Sequence, residues 1–80
     1  MVDQPVVSAE EIAKQFDLSV SVVNFYTTLG LFEVHRRAGR GNKRFYLLPA
    51  VGQRLRMIRE MKQRGFPLHL IQESLRRGQV

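Results

Sequence analysis

Eighty residues allow one domain, near the lower end of what a single hydrophobic core holds together without disulfides or metal, and any cofactor pocket would have to be small. Thirteen Lys and Arg against seven Asp and Glu leave a net charge of +6, an excess that suits nucleic acid or an anionic membrane surface without choosing between them. The absence of cysteine excludes disulfides, thiolate zinc sites, iron–sulfur clusters and a cysteine nucleophile within this chain.

Residues 1–7 are expected to form a flexible arm, with Val6-Val7 as a short extended segment, ahead of a single domain over residues 8–78. Ser8-Ala9-Glu10-Glu11 has the S-x-x-E form of a capping box, which places the start of a first helix there. Ile12, Ala13 and Phe16 fall on one face of it, and the small Ala13 lets a second helix pass close. Asp17-Leu18-Ser19 breaks the period and offers Ser19 as the cap of a second helix over about residues 20–29.

In that helix Val22, Val23, Tyr26 and Leu29 form the core stripe, while Ser21, Asn24, Phe25 and Thr28 share the opposite face. Ordinary surface helices carry Lys and Glu outward. A polar but nearly uncharged face suits contact with base edges, a thymine methyl or a sugar, and the plain alternative is a polar surface with Phe25 tucked against its neighbours. Gly30 ends the helix.

Period-two alternation follows in residues 32–35 and again in residues 44–47, so these runs are expected to pair as a β-hairpin. Between them lies a basic tip, residues 36–44, in which Arg36, Arg37, Arg40, Lys43 and Arg44 supply five positive charges and no negative one. Charge runs are often only solvated loops. Here a hairpin beside a helix-turn-helix favours contact with phosphates. Strand alternation is expected to turn Phe45 inward and Tyr46 outward, against a sugar-phosphate backbone.

After Pro49, Val51, Leu55, Ile58 and Met61 recur at helical spacing in a third helix that stops at Gly65. Arg54, Arg56 and Arg59 are read there as solvated charges. Phe66-Pro67 then opens a fourth helix with Leu68, Ile71 and Leu75 as its apolar line and Glu73/Arg77 as an i, i+4 pair. Both apolar lines are read as core, with an exposed dimer face as the alternative. The expected fold is therefore mainly α with a small β-hairpin wing, a winged helix-turn-helix of about four helices.

The longest apolar run, residues 45–51, contains Pro49 and is far too short to cross a bilayer. Met1-Val2-Asp3-Gln4-Pro5 lacks the regions of a signal peptide, so a cytoplasmic, nucleoid-associated protein without membrane contact is expected. His35 and His69 have no HExxH-like partner or carboxylate cluster and read as surface residues of a strand and a helix. No nucleophile, base and orienting group assemble from this inventory, so neither enzymatic activity nor a metal or cofactor is expected.

The order helix, turn, helix, basic hairpin, helix, helix resembles the winged-helix DNA-binding domain of the MerR family of transcription regulators, over residues 12–75. Three stretches carry the likeness. Val23-Asn24-Phe25-Tyr26 through Leu29-Gly30-Leu31-Phe32 stands where the family has a leucine, an arginine and two aromatics, then an apolar residue before Gly-Leu-Leu. Arg36 and Arg44-Phe45-Tyr46 match the family's basic and aromatic wing positions, and Gly65-Phe66-Pro67-Leu68 through Ile71 matches its Gly-Phe-Ser-Leu and following Ile. Asn24 stands in place of the family's arginine and Thr27 in place of its acidic residue, which puts the family's usual operator in doubt. Members of the family normally continue into a dimerising coiled-coil helix and an effector-sensing region, whereas this sequence stops at Val80.

The resemblance implies a sequence-specific module for double-stranded DNA in a transcription regulator. Its second helix would enter the major groove through Ser21, Asn24, Phe25 and Thr28, and its wing would hold phosphates through Arg36, Arg37, Arg40, Lys43, Arg44 and Tyr46. Activation by DNA distortion in this family requires a dimer, so the expectation is a fragment of a longer regulator, a homodimer, or head-to-tail self-association on DNA. Two alternatives stand beside it: a small architectural factor of the phage-excisionase or packaging type, and a basic adaptor for an acidic protein or anionic surface.

Overall fold

A computed structural model describes residues 5–77; residues 1–4 of the expected arm and residues 78–80 lie outside the described residues. In chain order these form β1 (Val6–Ser8), α1 (Ala9–Gln15), α2 (Val20–Thr28), β2 (Arg36–Ala38), β3 (Lys43–Leu47), α3 (Leu48–Gln63) and α4 (Leu68–Arg76). The three strands make one antiparallel sheet in the order β1-β3-β2. With four helices around this sheet, the expected winged helix-turn-helix is the observed fold.

Both helices of the helix-turn-helix begin on the serines expected to cap them. Ser8 Oγ accepts the Glu11 backbone N–H at 3.2 Å and Ser19 Oγ accepts that of Val22 at 3.1 Å, each satisfying a donor that has no partner inside its helix. The Glu11 carboxylate turns forward instead of back and accepts from Gln15 Nε2 at 3.3 Å, so the second half of the capping box is replaced by a bond along the helix. Between the helices Asp17 takes a left-handed φ of 56°, and the Leu18 N–H donates to the Ala13 carbonyl at 2.8 Å. A short polar side chain tolerates that conformation better than a branched one would.

Ile12 and Ala13 of α1, Val23 and Tyr26 of α2, Val51, Leu55 and Ile58 of α3, and Ile71 and Leu75 of α4 are all buried in one core. Val22, Leu29 and Met61, expected in the same stripes, are only half-buried at its margin. Tyr26 meets Phe32 edge-to-face with ring centroids 5.3 Å apart, a favoured aromatic geometry. The C-terminal helix is tied to α2 by Gln72, whose Nε2 donates to the Leu29 carbonyl at 2.8 Å. The Glu73/Arg77 pair forms as expected, at 2.7 Å.

The sheet departs from the sequence reading in three ways. The first strand of the hairpin is residues 36–38 and not residues 32–35. Leu31 and Phe32 are drawn into the core, and their N–H groups both donate to the Tyr26 carbonyl, at 2.9 and 3.3 Å, which leaves residues 33–35 as a connection outside the strands, joined to β3 only where the His35 N–H donates to the Phe45 carbonyl at 2.8 Å. Apolar residues there alternate because the chain dips into the core, not because it pairs. Val6 and Val7 do more than extend: as β1 they pair with Leu47 and Tyr46, so the described end of the expected flexible arm is an edge strand.

The third correction is the phase of β3. Tyr46 points inward and is fully buried, while Phe45 is half-buried on the other face beneath the Arg36 guanidinium, whose carbon lies 5.0 Å from the ring centroid. Alternation holds but with the opposite sign, because a one-residue change of phase exchanges the faces. What selects this phase is the partner: Tyr46 reaches α2, where its hydroxyl lies 2.8 Å from Thr27 Oγ1.

Candidate nucleic-acid interface

The cap at Ser19 and the left-handed Gly30, φ 81°, bound α2 at nine residues and fix which of its faces turns outward. With Val23 and Tyr26 anchored in the core, helical spacing leaves Ser21, Asn24, Phe25 and Thr28 outside, and all four are exposed. Phe25 is 51% exposed, a large cost for an aromatic ring that the described residues cover only in part. The Asn24 carboxamide and the Ser21 hydroxyl make no hydrogen bond to any described residue, whereas the Thr28 hydroxyl donates back to the Asn24 carbonyl at 3.0 Å. Val20, 38% exposed and one turn before Asn24, belongs to the same surface. The sequence reading omitted it, although its i, i+4 relation to Asn24 was available.

The wing is the β2–β3 hairpin, closed by Gly39-Arg40-Gly41-Asn42. Gly39, Gly41 and Asn42 all have positive φ, at 76°, 81° and 56°, a run that glycine and asparagine accept readily. Only Arg40 of the five basic residues therefore sits at the tip itself. Arg36, Arg37, Lys43 and Arg44 are on the strands, where their side chains alternate between two faces. Arg37 lies directly across from Arg44, on the face that Arg44 shares with Tyr46. Like charges in that relation repel, and no described carboxylate pairs with either. Arg36, stacked over Phe45, is on the opposite face.

Helix and wing meet. A shallow hollow of about 210 Å³ is lined by Ala9, Glu10, Val20, Asn24, Asn42, Lys43 and Arg44, so the carboxamide of the exposed helix face and two cations of the wing share one surface depression. Glu10, in the first turn of α1, is the carboxylate in that hollow. The sequence reading did not place it there.

Tyr46 is the one expected contact residue that the fold removes from the surface. Fully buried, its side chain cannot lie against a phosphate backbone, and its role is internal. Thr27 Oγ1 stands 2.7 Å from the Val23 carbonyl and gives its proton there, so the Tyr46 hydroxyl is the donor to Thr27 Oγ1. Tyr26 is core, as expected, and its hydroxyl accepts from Lys62 Nζ at 3.4 Å. That bond brings a cation of α3 to the rear of α2. Arg59 similarly donates to the Phe16 carbonyl at the end of α1, at 3.3 Å. Of the two, Arg59 reads as a solvated charge in the sequence.

His35 and His69 are exposed, and no group of three or more His, Asp or Glu residues that could hold a metal comes together among the described residues. No described helix is long and apolar enough to cross a membrane. The sequence model of the MerR HTH family of regulatory proteins matches residues 7–78, nearly the whole chain. No curated protein and no solved structure matches it significantly.

Proposed function

This chain belongs to the MerR HTH family of regulatory proteins, which are DNA-binding transcription regulators, and from that premise we propose that it reads double-stranded DNA in two parts. In this reading α2 enters the major groove and presents Ser21, Asn24, Phe25 and Thr28 to base edges, while Arg37, Arg40, Lys43 and Arg44 of the wing hold flanking phosphates, with Arg36 at the outer side. The observation that carries the proposal is the hollow shared by Asn24 and the wing cations, because it makes base contact and backbone contact simultaneous. The protein works in the cytoplasm on the nucleoid, self-associating on DNA as a homodimer or head to tail.

Titration of affinity for a duplex against salt tests the electrostatic half. Five phosphates neutralised by the wing give a slope of log K against log salt of about −4 to −5, and a slope near zero contradicts it.

A further inference from the structure

The five residues that α2 exposes match the major-groove edge of A·T pairs and include none of the charged side chains that discriminate G·C, the Ser21 hydroxyl suiting either pair, and we infer that this helix selects an A·T-rich half-site; the inference rests on the DNA-binding reading above. Guanine shows two acceptors, N7 and O6, to the major groove and is read most often by the forked or extended donors of Arg and Lys. The segment Val20-Ser21-Val22-Val23-Asn24-Phe25-Tyr26-Thr27-Thr28 contains no Arg or Lys. Cytosine shows an N4 donor that suits a carboxylate, and the segment has no Asp or Glu either.

Adenine is the base whose edge pairs an acceptor, N7, with a donor, N6–H₂. Asn24 carries the complementary pair on one exposed carboxamide that no described residue engages. Thymine adds a methyl group. Phe25 and Val20, 51% and 38% exposed, are the apolar groups placed to meet it on either side of the Asn24 contact. Thr28 already donates its hydroxyl proton to the Asn24 carbonyl, so it does not compete as a donor to guanine. From Val20 to Thr28 the face runs about 12 Å along the helix, or about three to four base steps.

The experiment is selection of duplexes from a randomised pool by the full chain, followed by binding to the selected site with single replacements. The selected sites are expected to be A·T-rich across three to four consecutive pairs, and replacing the adenine read by Asn24 with guanine weakens binding about tenfold or more. Deoxyuridine in place of thymidine removes only the methyl, and it weakens binding of the unaltered protein but not of the Val20→Ala/Phe25→Ala double variant. Inosine·cytosine pairs keep an A·T-like minor groove while showing a guanine-like major-groove edge, and they also weaken binding.

A G·C-rich consensus, or undiminished binding to deoxyuridine or inosine·cytosine sites, overturns the inference and leaves the DNA-binding reading intact, whereas binding with no consensus overturns the inference together with base reading by α2 and leaves only the wing's hold on phosphates. Binding to no duplex at all overturns both. Val20, Asn24 and Phe25 are exposed, so their variants are expected to keep the fold, with circular dichroism as the check.

Discussion

The Tyr46 hydroxyl donates to Thr27 Oγ1 across 2.8 Å, joining the central strand of the sheet to the last turn of α2. Thr27 passes its own proton to the Val23 carbonyl at 2.7 Å, so the two hydroxyls and a helix carbonyl form a directed chain. The two ends of this bond are not equivalent. Tyr46→Phe removes a donor and leaves Thr27 bonded to Val23, at a cost of about 0.5–1.5 kcal/mol. Thr27→Val strands a buried phenol hydroxyl and is expected to cost more, about 1–3 kcal/mol. Urea denaturation of the two variants checks the order, and equal costs contradict it.

Arg37 and Arg44 face each other across β2 and β3 with no carboxylate of the described residues paired to either. Such a pair weakens the isolated wing and strengthens its hold on a polyanion. Arg37→Glu converts repulsion into a cross-strand ion pair, so folding stability rises by about 0.2–1 kcal/mol while affinity for duplex falls. The opposite signs are the diagnostic. Denaturation and fluorescence-anisotropy titration of the same variant measure both, and a variant that loses or gains on both counts contradicts the assignment.

Glu10 places a carboxylate in the hollow that Asn24 shares with Lys43 and Arg44. Against a phosphate it repels, and across the hollow it partly offsets the wing. Glu10→Gln is therefore expected to raise affinity for any duplex, by roughly 0.3–1 kcal/mol at low salt, with the gain fading as salt rises. Anisotropy at two salt concentrations checks this; unchanged affinity at low salt contradicts it.

Local signals in the sequence were good guides where one residue and its near neighbours decide the outcome. Ser8 and Ser19 cap the helices they precede, and the exposed quartet of α2 follows from helical spacing once Val23 and Tyr26 are in the core. The wing was legible in kind but not in phase. Alternation says that Phe45 and Tyr46 lie on opposite faces; which one is inside depends on Thr27, nineteen residues away, offering an acceptor to the phenol. The same limit hid the pairing of the extended Val6-Val7 segment, since a three-residue strand has too few positions to show a period and β1 is held by the edge of β3. Arg59 and Lys62 bond to atoms in α1 and α2, contacts that no spacing within α3 encodes.

A shared hollow between Asn24 and the wing cations implies a division of labour in which the wing supplies affinity and α2 supplies choice. The direct measurement is the ratio of affinities for a selected duplex and a scrambled one, taken for the unaltered chain, for Asn24→Ala and for Arg40→Gln/Arg44→Gln. Asn24→Ala is expected to collapse the ratio by about five- to a hundredfold while leaving affinity for the scrambled duplex in place. The double arginine variant lowers both affinities, keeps the ratio, and flattens the salt slope by about 2. A ratio untouched by Asn24→Ala, or lost with the arginines, contradicts the account.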